Sequence, residues 1–363
     1  MVAVMPENKK SIKKIPALMK GVQLTGHGGL DQLVFRDDLP VPVPGPNDVC
    51  IEVGAAGVNN TDLNTRLGWY SKSNNSASDA SWSGNPIQFP RIQGADVCGR
   101  VVAVGERVDT SLMGARVLVE PCLFEAEGKD LDPPWYFGSE CDGGFAEYTV
   151  VAVRHAHKIN SNLSDVELAS FPCSYSTAEN LLTRACVTED DMVLVTGASG
   201  GVGSAVVQLA KARGSKVIGV TSPAKFDQVK ELGAEHALAR EDDVCKRLGK
   251  NSVDVVIDLV AGKRWPALLD VLRPFGRYAV SGAVAGPFVE LDVRTLYLKD
   301  LTLFGCTVLG PEIFPNLIKR IEAGEVSPLV AETFSLEELA LAQKQFEAKK
   351  HIGKLVIDVS GKG

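Results

Sequence analysis

The run Thr196-Gly197-Ala198-Ser199-Gly200-Gly201-Val202-Gly203 carries the clearest chemistry in the chain. It follows the apolar stretch 192–195 and opens GVGSAVVQLAKARG, whose apolar positions recur at helical spacing. Glycines in such a loop let the backbone turn sharply and approach a pyrophosphate. Free N–H groups and the positive end of the helix dipole then face its charge. Gly203 would let the helix pack close to the strand. This context predicts a dinucleotide site with Gly197, Ser199, Gly200, Gly201 and Val202 at the pyrophosphate.

An NAD site commonly carries Asp or Glu at the end of the next strand, about 20 residues beyond the loop. Here KVIGVT (216–221) ends at Thr221 and Ser222, and Lys225 follows. No carboxylate stands there to repel a 2′-phosphate, and two hydroxyls and an ammonium suit one. The expected cofactor is NADPH, with Thr221, Ser222 and Lys225 at its 2′-phosphate. The plainer alternative makes Ser222 a helix N-cap and Lys225 a solvated side chain.

Two rival patterns use the same glycines. Gly197-Ala198-Ser199-Gly200-Gly201 fits the G-x-S-x-G elbow of hydrolases, and Asp258 and His351 follow in triad order. That reading does not require Gly203 and leaves the downstream alternation of strands and helices unexplained. A short-chain dehydrogenase would need Tyr-x-x-x-Lys. Tyr278 and Tyr297 are followed at that spacing by Gly282 and Leu301, so the pattern fails.

The elements around the loop read as two grammars. From 20 to 151, short strands such as GVQLTG, VCIEVGAAGV and CGRVVAVG are divided by Gly/Pro turns, which suggests a barrel-like β domain. The polar stretch 71–85 reads as a surface loop, and the acidic, Pro-interrupted stretch 124–143 as another excursion. Beyond about 160, strand-length runs at 192–197, 216–221, 254–260 and 277–282 alternate with helical patterns, which argues for βαβ units and a parallel sheet. Two helical stretches and a strand at 354–359 close the chain, and that strand is expected to rejoin the first domain.

Composition narrows the partners. Among 363 residues, 38 are Lys or Arg and 45 are Asp or Glu, for a net charge of −7. That balance weighs against nucleic-acid binding, which needs a basic footprint. With 45% hydrophobic and 23% charged residues the chain is an ordinary globular one, and it has no uninterrupted apolar stretch long enough for a membrane helix. The Lys-bearing segment 1–19 lacks the apolar core of a secretory signal and reads as an arm. Eight cysteines without a C-x-x-C pair suit reduced thiols in the cytoplasm.

Five landmarks in order complete the pattern. They are Ala56-Gly57-Val58-Asn59-Asn60-Thr61-Asp62, Gly94-Ala95-Asp96-Val97-Cys98-Gly99, Gly143-Gly144-Phe145-Ala146-Glu147-Tyr148, the glycine loop, and Gly353-Lys354-Leu355-Val356. Together they resemble the medium-chain dehydrogenase/reductase superfamily, over nearly the whole chain after the arm. The resemblance implies an α/β protein with a GroES-like β-rich catalytic domain (20–160 plus 309–363) and a Rossmann doubly wound cofactor domain (161–308).

Zinc members of that family use a Cys in the first landmark, a His in the second and a third ligand at the start of the cofactor domain. This chain has Asn59, Ala95 and Cys173 there. One soft ligand does not hold zinc, which needs three plus an open position. Likewise Cys122 and Cys141 do not make the family's four-cysteine structural site. No metal is expected, and Cys173 reads as a thiol lining the pocket. Asn59 matches the quinone-oxidoreductase-like branch, which implies metal-free hydride transfer from NADPH to a small-molecule quinone or α,β-unsaturated carbonyl. A conjugated carbonyl already has an electrophilic β-carbon, so the protein needs only alignment and a hydrogen bond to the developing enolate. Asn59 and Tyr70 are the candidate donors, with Asp62 as a network partner.

The resemblance also implies that Ser176 and Thr177 lie on the nicotinamide side. Leu259, Val260, Ser281 and Gly282 would lie at the strand ends, Cys306 and Thr307 beside the nicotinamide amide, and Lys349 near the 2′-phosphate. The stretch 301–308 resembles the edge strand through which members pair as homodimers. The alternatives are a zinc-dependent alcohol dehydrogenase, a non-catalytic NADPH-binding protein and, from the rival glycine pattern, a hydrolase.

Overall fold

The computed structural model describes residues 15–72 and 80–361. Most of the arm 1–19, and residues 73–79 of the predicted loop 71–85, lie outside the described residues.

The β-rich part is organised by one central strand, Asp48–Gly57. It pairs antiparallel with Asp96–Val104 on one side, with Gly57 opposite Asp96. Its end also pairs antiparallel with the C-terminal strand Lys354–Asp358, with Gly57 opposite Val356. The expected C-terminal return is therefore a strand of this sheet. This register has a functional consequence. The end of the central strand and the beginnings of two neighbours meet, so Asn59, Asp96 and Lys354 converge although far apart in sequence. Val49, Ile51 and Val53 pack against Val97, Val101 and Val117 on one face of the sheet.

The second part is a six-stranded sheet in the order His236–Ala239, Lys216–Thr221, Met192–Thr196, Val253–Asp258, Leu272–Val280, Thr302–Gly305. Every neighbouring pair is parallel. All residues of Val253–Asp258 are buried, as expected for a parallel strand covered on both faces. Helices Pro172–Arg184 and Gly201–Ala212 pack on it through Tyr175, Leu181, Val206 and Leu209, in a core that also includes Phe314 and Val356. Among the described residues no helix is long and apolar enough to cross a membrane.

Several elements differ from expectation. His236–Ala239 forms an edge strand that its one large apolar residue, Leu238, does not announce. The strand expected at 277–282 runs Leu272–Val280, which leaves Ser281 and Gly282 just past its end. The stretch 124–143 is largely an ordered hairpin, Cys122–Ala126 with Lys129–Tyr136, rather than an irregular excursion.

Candidate active site

The glycine loop is built as its composition requires. Gly197 has φ +63°, a left-handed conformation that favours glycine. A Cβ on Gly203 would lie 2.1 Å from the Gly197 carbonyl oxygen, so only glycine lets the helix start this close to the strand. Gly200 is exposed in front of the helix Gly201–Ala212. Leu259 and Val260 flank Gly197, and Gly282 abuts the Leu259 carbonyl, so these predicted residues gather at the carboxyl edge of the sheet.

Thr221 requires a correction. It is fully buried, and its hydroxyl donates to Ser199 Oγ at 2.8 Å. As the last residue of its strand it points into the fold, where it braces the glycine loop and presents no hydroxyl to a ligand. Ser222 is half-buried and starts a helical turn, with its carbonyl accepting from Lys225 N at 2.9 Å. The Lys225 ammonium donates to the carbonyls of His351 (2.6 Å) and Lys349 (3.2 Å). Lys349 Nζ donates to Asn60 Oδ1 at 2.8 Å and lies over the Phe346 ring. Burial and then the charges of Lys225, Lys349 and Lys354 hold the His351 imidazole down at about 4. Arg240 also acts on Lys225, which burial already pulls below its usual range. This concentration of positive charge beside the glycine loop suits an anionic ligand.

The hydrolase triad does not assemble. Asp258 accepts from Thr196 Oγ1 (2.5 Å), the Tyr278 hydroxyl (2.6 Å) and the Val260 N–H (2.9 Å). Ser199 is buried against Thr221, and His351 sits among lysines.

On the other side of the loop lies a buried polar cluster. Asp96 has no exposed surface, and one of its oxygens accepts from Lys354 Nζ at 2.7 Å and Asn59 Nδ2 at 2.9 Å. Its other oxygen accepts from the Cys173 N–H at 2.5 Å, which caps the helix Pro172–Arg184. Asn59 Oδ1 accepts from Lys354 Nζ at 2.5 Å, and Asn59 Nδ2 also reaches the Gly57 carbonyl at 3.3 Å. The predicted donor Asn59 is thus engaged on all sides, which makes it a part of this network. Asp62 accepts from the Asn59 N–H at 2.7 Å and the Gly94 N–H at 3.3 Å. Burial pushes its carboxyl up to about 7, against the pull of those N–H groups and Lys354. A Cβ on Gly201 would lie 3.3 Å from Lys354 Cδ, so this lysine also touches the glycine loop.

Asp96 and Lys354 stood in the sequence landmarks without a role. The signal was there, since each is a charge that opens an apolar run, in GADVCG and GKLVIDV.

Three aromatic rings line the remaining wall. Tyr70 packs against Trp82 with ring centres 5.3 Å apart, and Trp82 stacks on Tyr136 at 4.5 Å and 12°. Tyr70 OH accepts from Asn64 Nδ2 at 3.3 Å, and burial pushes its phenol up to about 12. A cavity of about 60 Å³ lies between Trp82, Cys122, Trp135, Tyr136 and Thr307, so Thr307 shares a cavity with the aromatic wall. Cys306 is buried at the end of its strand, bonded through N–H to the Val280 carbonyl at 2.9 Å. Ser176 is buried with its hydroxyl on the Cys173 carbonyl at 3.3 Å, and Thr177 is half-buried. A larger cavity, about 390 Å³ among Met19, Leu39, Ile92 and Val150, includes neither the glycine loop nor the aromatic wall.

Two family models match the chain, an alcohol dehydrogenase GroES-like domain over residues 45–161 and a zinc-binding dehydrogenase over 201–323. A crystal structure of a provisionally named alcohol dehydrogenase from Sinorhizobium meliloti 1021 is 43% identical, with a TM-score of 0.88, over 95% of this chain and 97% of that one. The chain belongs to the medium-chain dehydrogenase/reductase superfamily. Quinone oxidoreductase from Lama guanicoe is 29% identical over 94% of this chain and 97% of its own. Acryloyl-coenzyme A reductase from Metallosphaera sedula is 29% identical over 93% of this chain and 99% of its own. This superfamily member is an enzyme of the oxidoreductase type, with a GroES-like β domain and a Rossmann-like parallel sheet.

The nicotinamide cofactor of the superfamily fits these residues, through the glycine cradle, the open helix start and the basic surround. Catalytic zinc does not fit. Asn59 is locked to Asp96 and Lys354, Ala95 offers no ligand, and burial pushes the Cys173 thiol up to about 12. The Tyr136 ring packs against both Ala95 and Cys173. Among the described residues, no group of three His, Cys, Asp or Glu side chains could hold a metal ion.

Proposed function

We propose that this superfamily member is an NADPH-dependent reductase that transfers hydride, without metal, to a quinone or an α,β-unsaturated carbonyl. One observation carries the reading. Where zinc members carry three ligands, this chain has an amide locked in an ion cluster, a methyl group and a neutral thiol under a tyrosine ring.

NADPH, when bound, supplies the hydride. The chain's own residues do the rest. The glycine loop and the start of helix Gly201–Ala212 receive the pyrophosphate. Lys225, Lys349 and Arg240 supply positive charge for a 2′-phosphate. Leu259, Val260, Ser281, Gly282, Cys306 and Thr307 border the nicotinamide end. Tyr70, Trp82 and Tyr136 offer flat aromatic faces that suit a planar conjugated substrate and keep water away from it. The relatives named for quinones and for an acryloyl thioester act on substrates of this electronic kind.

The enzyme works as a homodimer in the cytoplasm on this reading. The edge strand Thr302–Gly305 exposes Leu303 and follows helix Val293–Leu298, whose Val293, Tyr297 and Leu298 are exposed, an apolar surface that a second copy would cover. All eight cysteines are free thiols, which suits a reducing compartment.

The test is a fluorescence titration of metal-analysed protein with NADPH and NADH, followed by a quinone and enone panel. Tighter NADPH binding, turnover of the panel and no stoichiometric zinc are expected. One zinc per chain, or preferred NADH, would overturn the corresponding part. Light scattering on the same sample checks for the dimer mass.

A further inference from the structure

Tyr136 is delivered to the site by a device that the function above does not require. It closes the hairpin Cys122–Ala126/Lys129–Tyr136, paired with Cys122. Its backbone N–H donates to Glu140 Oε2 at 2.9 Å, while Glu140 Oε1 accepts from the Ser83 N–H at 2.9 Å. One carboxylate therefore clamps the two excursions 71–85 and 124–143 together. The clamp sets Trp82 flat against Tyr136, and Trp82 Nε1 donates to Thr61 Oγ1 at 3.2 Å to fix the other end. The Tyr136 hydroxyl is 3.0 Å from Cys173 Sγ. Cys173 is itself fixed by its N–H bond to Asp96. The Tyr136 side chain borders the same cavity as Thr307.

We infer that the Tyr136 hydroxyl, oriented by Cys173, is the hydrogen-bond donor to the substrate oxygen that gains charge as hydride arrives. This deepens the reading of a metal-free reductase and rests on it. Tyr136 and Cys173 stand against Ala95, so the phenol occupies ground that an imidazole and a metal would share in a zinc enzyme. Of the two donors expected from sequence, Asn59 is tied to Asp96 and Lys354, and Tyr70 does not line the cavity that Tyr136 shares with Thr307. The Cys173 S–H can donate to the phenol oxygen and turn the Tyr136 hydrogen toward substrate. Burial raises both groups well above neutrality, so each keeps its proton throughout turnover. Tyr136 acts as a polarising donor. At a conjugated carbonyl, hydride supplied by NADPH, which becomes NADP⁺, forms the C–H bond at the β-carbon, the C=C pair shifts to give the enolate, the carbonyl pair moves onto oxygen, and one proton from water completes the reduction.

The experiment uses the full chain as wild type, Tyr136→Phe, Cys173→Ser and Cys173→Ala. Turnover is measured with NADPH and 1,4-naphthoquinone or a cyclic enone. Binding of 4-nitrophenolate, a stable mimic of the charged oxygen, is read from its absorbance in the presence of NADP⁺. Tyr136→Phe keeps the ring on Trp82, so NADPH affinity and the near-UV circular dichroism should match wild type. Its kcat should fall by about 100-fold, the order found on removing one oxyanion donor. Its nitrophenolate affinity should fall by about 10-fold or more. Cys173→Ala should lower kcat by a smaller factor, and Cys173→Ser, which restores a donor to the phenol, should recover most of it. Turnover by Tyr136→Phe within about two-fold of wild type would overturn the proposal. So would equal nitrophenolate binding by the two proteins. If wild type reduces neither substrate class, the functional reading fails, while the nitrophenolate comparison still decides the role of Tyr136.

Discussion

The two sides of the proposed active site are assembled in opposite ways. The cofactor side comes from one continuous piece of chain, strand Met192–Thr196, the glycine loop and helix Gly201–Ala212. Its geometry follows from local rules, a left-handed Gly197 and a Gly203 with no room for a side chain. The proposed substrate side is gathered from Asn59, Trp82, Asp96, Tyr136, Cys173 and Lys354, held by strand register, a helix start and a carboxylate clamp. A local motif is fixed within one stretch of chain, whereas a gathered site depends on contacts between distant ones.

The sharpest way to break the gathered side is Lys354→Met. It leaves the Asp96 carboxylate buried without its cation. The expected loss is about 3–5 kcal/mol of stability, with Lys354→Met/Asp96→Asn recovering part of it. Denaturant unfolding of both variants measures this. An unchanged midpoint for the single variant would mean that the cluster does not hold the site together.

The next effect lies in pH. Asp62 has a native value near 7, above that of an unfolded aspartate. The native state therefore binds its proton more tightly, and the stability this group contributes is fully present below about pH 4 and lost as pH rises through about 7. The contribution is at most about 4 kcal/mol across that window. Asp62→Asn should flatten the stability curve between about pH 4 and 7 relative to wild type. Parallel curves would mean that Asp62 does not carry the shift.

Gly203→Ala breaks the contiguous side. The new Cβ would meet a backbone oxygen that no side-chain rotation can clear. About 1–3 kcal/mol of stability should go, together with NADPH affinity, while the Trp82–Tyr136 stack keeps its near-UV signature. Loss of that aromatic signature as well would mean that the two sides are one cooperative unit.

The smallest expected effect sharpens cofactor choice. Lys225→Ala removes one charge from the basic surround and should weaken NADPH about 10-fold relative to NADH. Equal weakening of both would assign Lys225 to the carbonyls of Lys349 and His351 alone.

The sequence by itself determined the parallel sheet, the dinucleotide loop and the family. These depend on patterns within a few tens of residues, where apolar period and glycine placement act directly on the local backbone. It also marked Asn59, Ala95 and Cys173 as a poor set of zinc ligands, because that follows from residue type. It misjudged Thr221, since whether a hydroxyl at a strand end points inward is decided by the packing around Ser199. Asp96 and Lys354 were visible as landmarks, yet their pairing needed the antiparallel register on both sides of Asp48–Gly57. Trp82 and Tyr136 lay in stretches that read as a surface loop and an excursion. Only the tertiary structure joined them, because Glu140 and the hairpin bring together positions with no shared period in the chain.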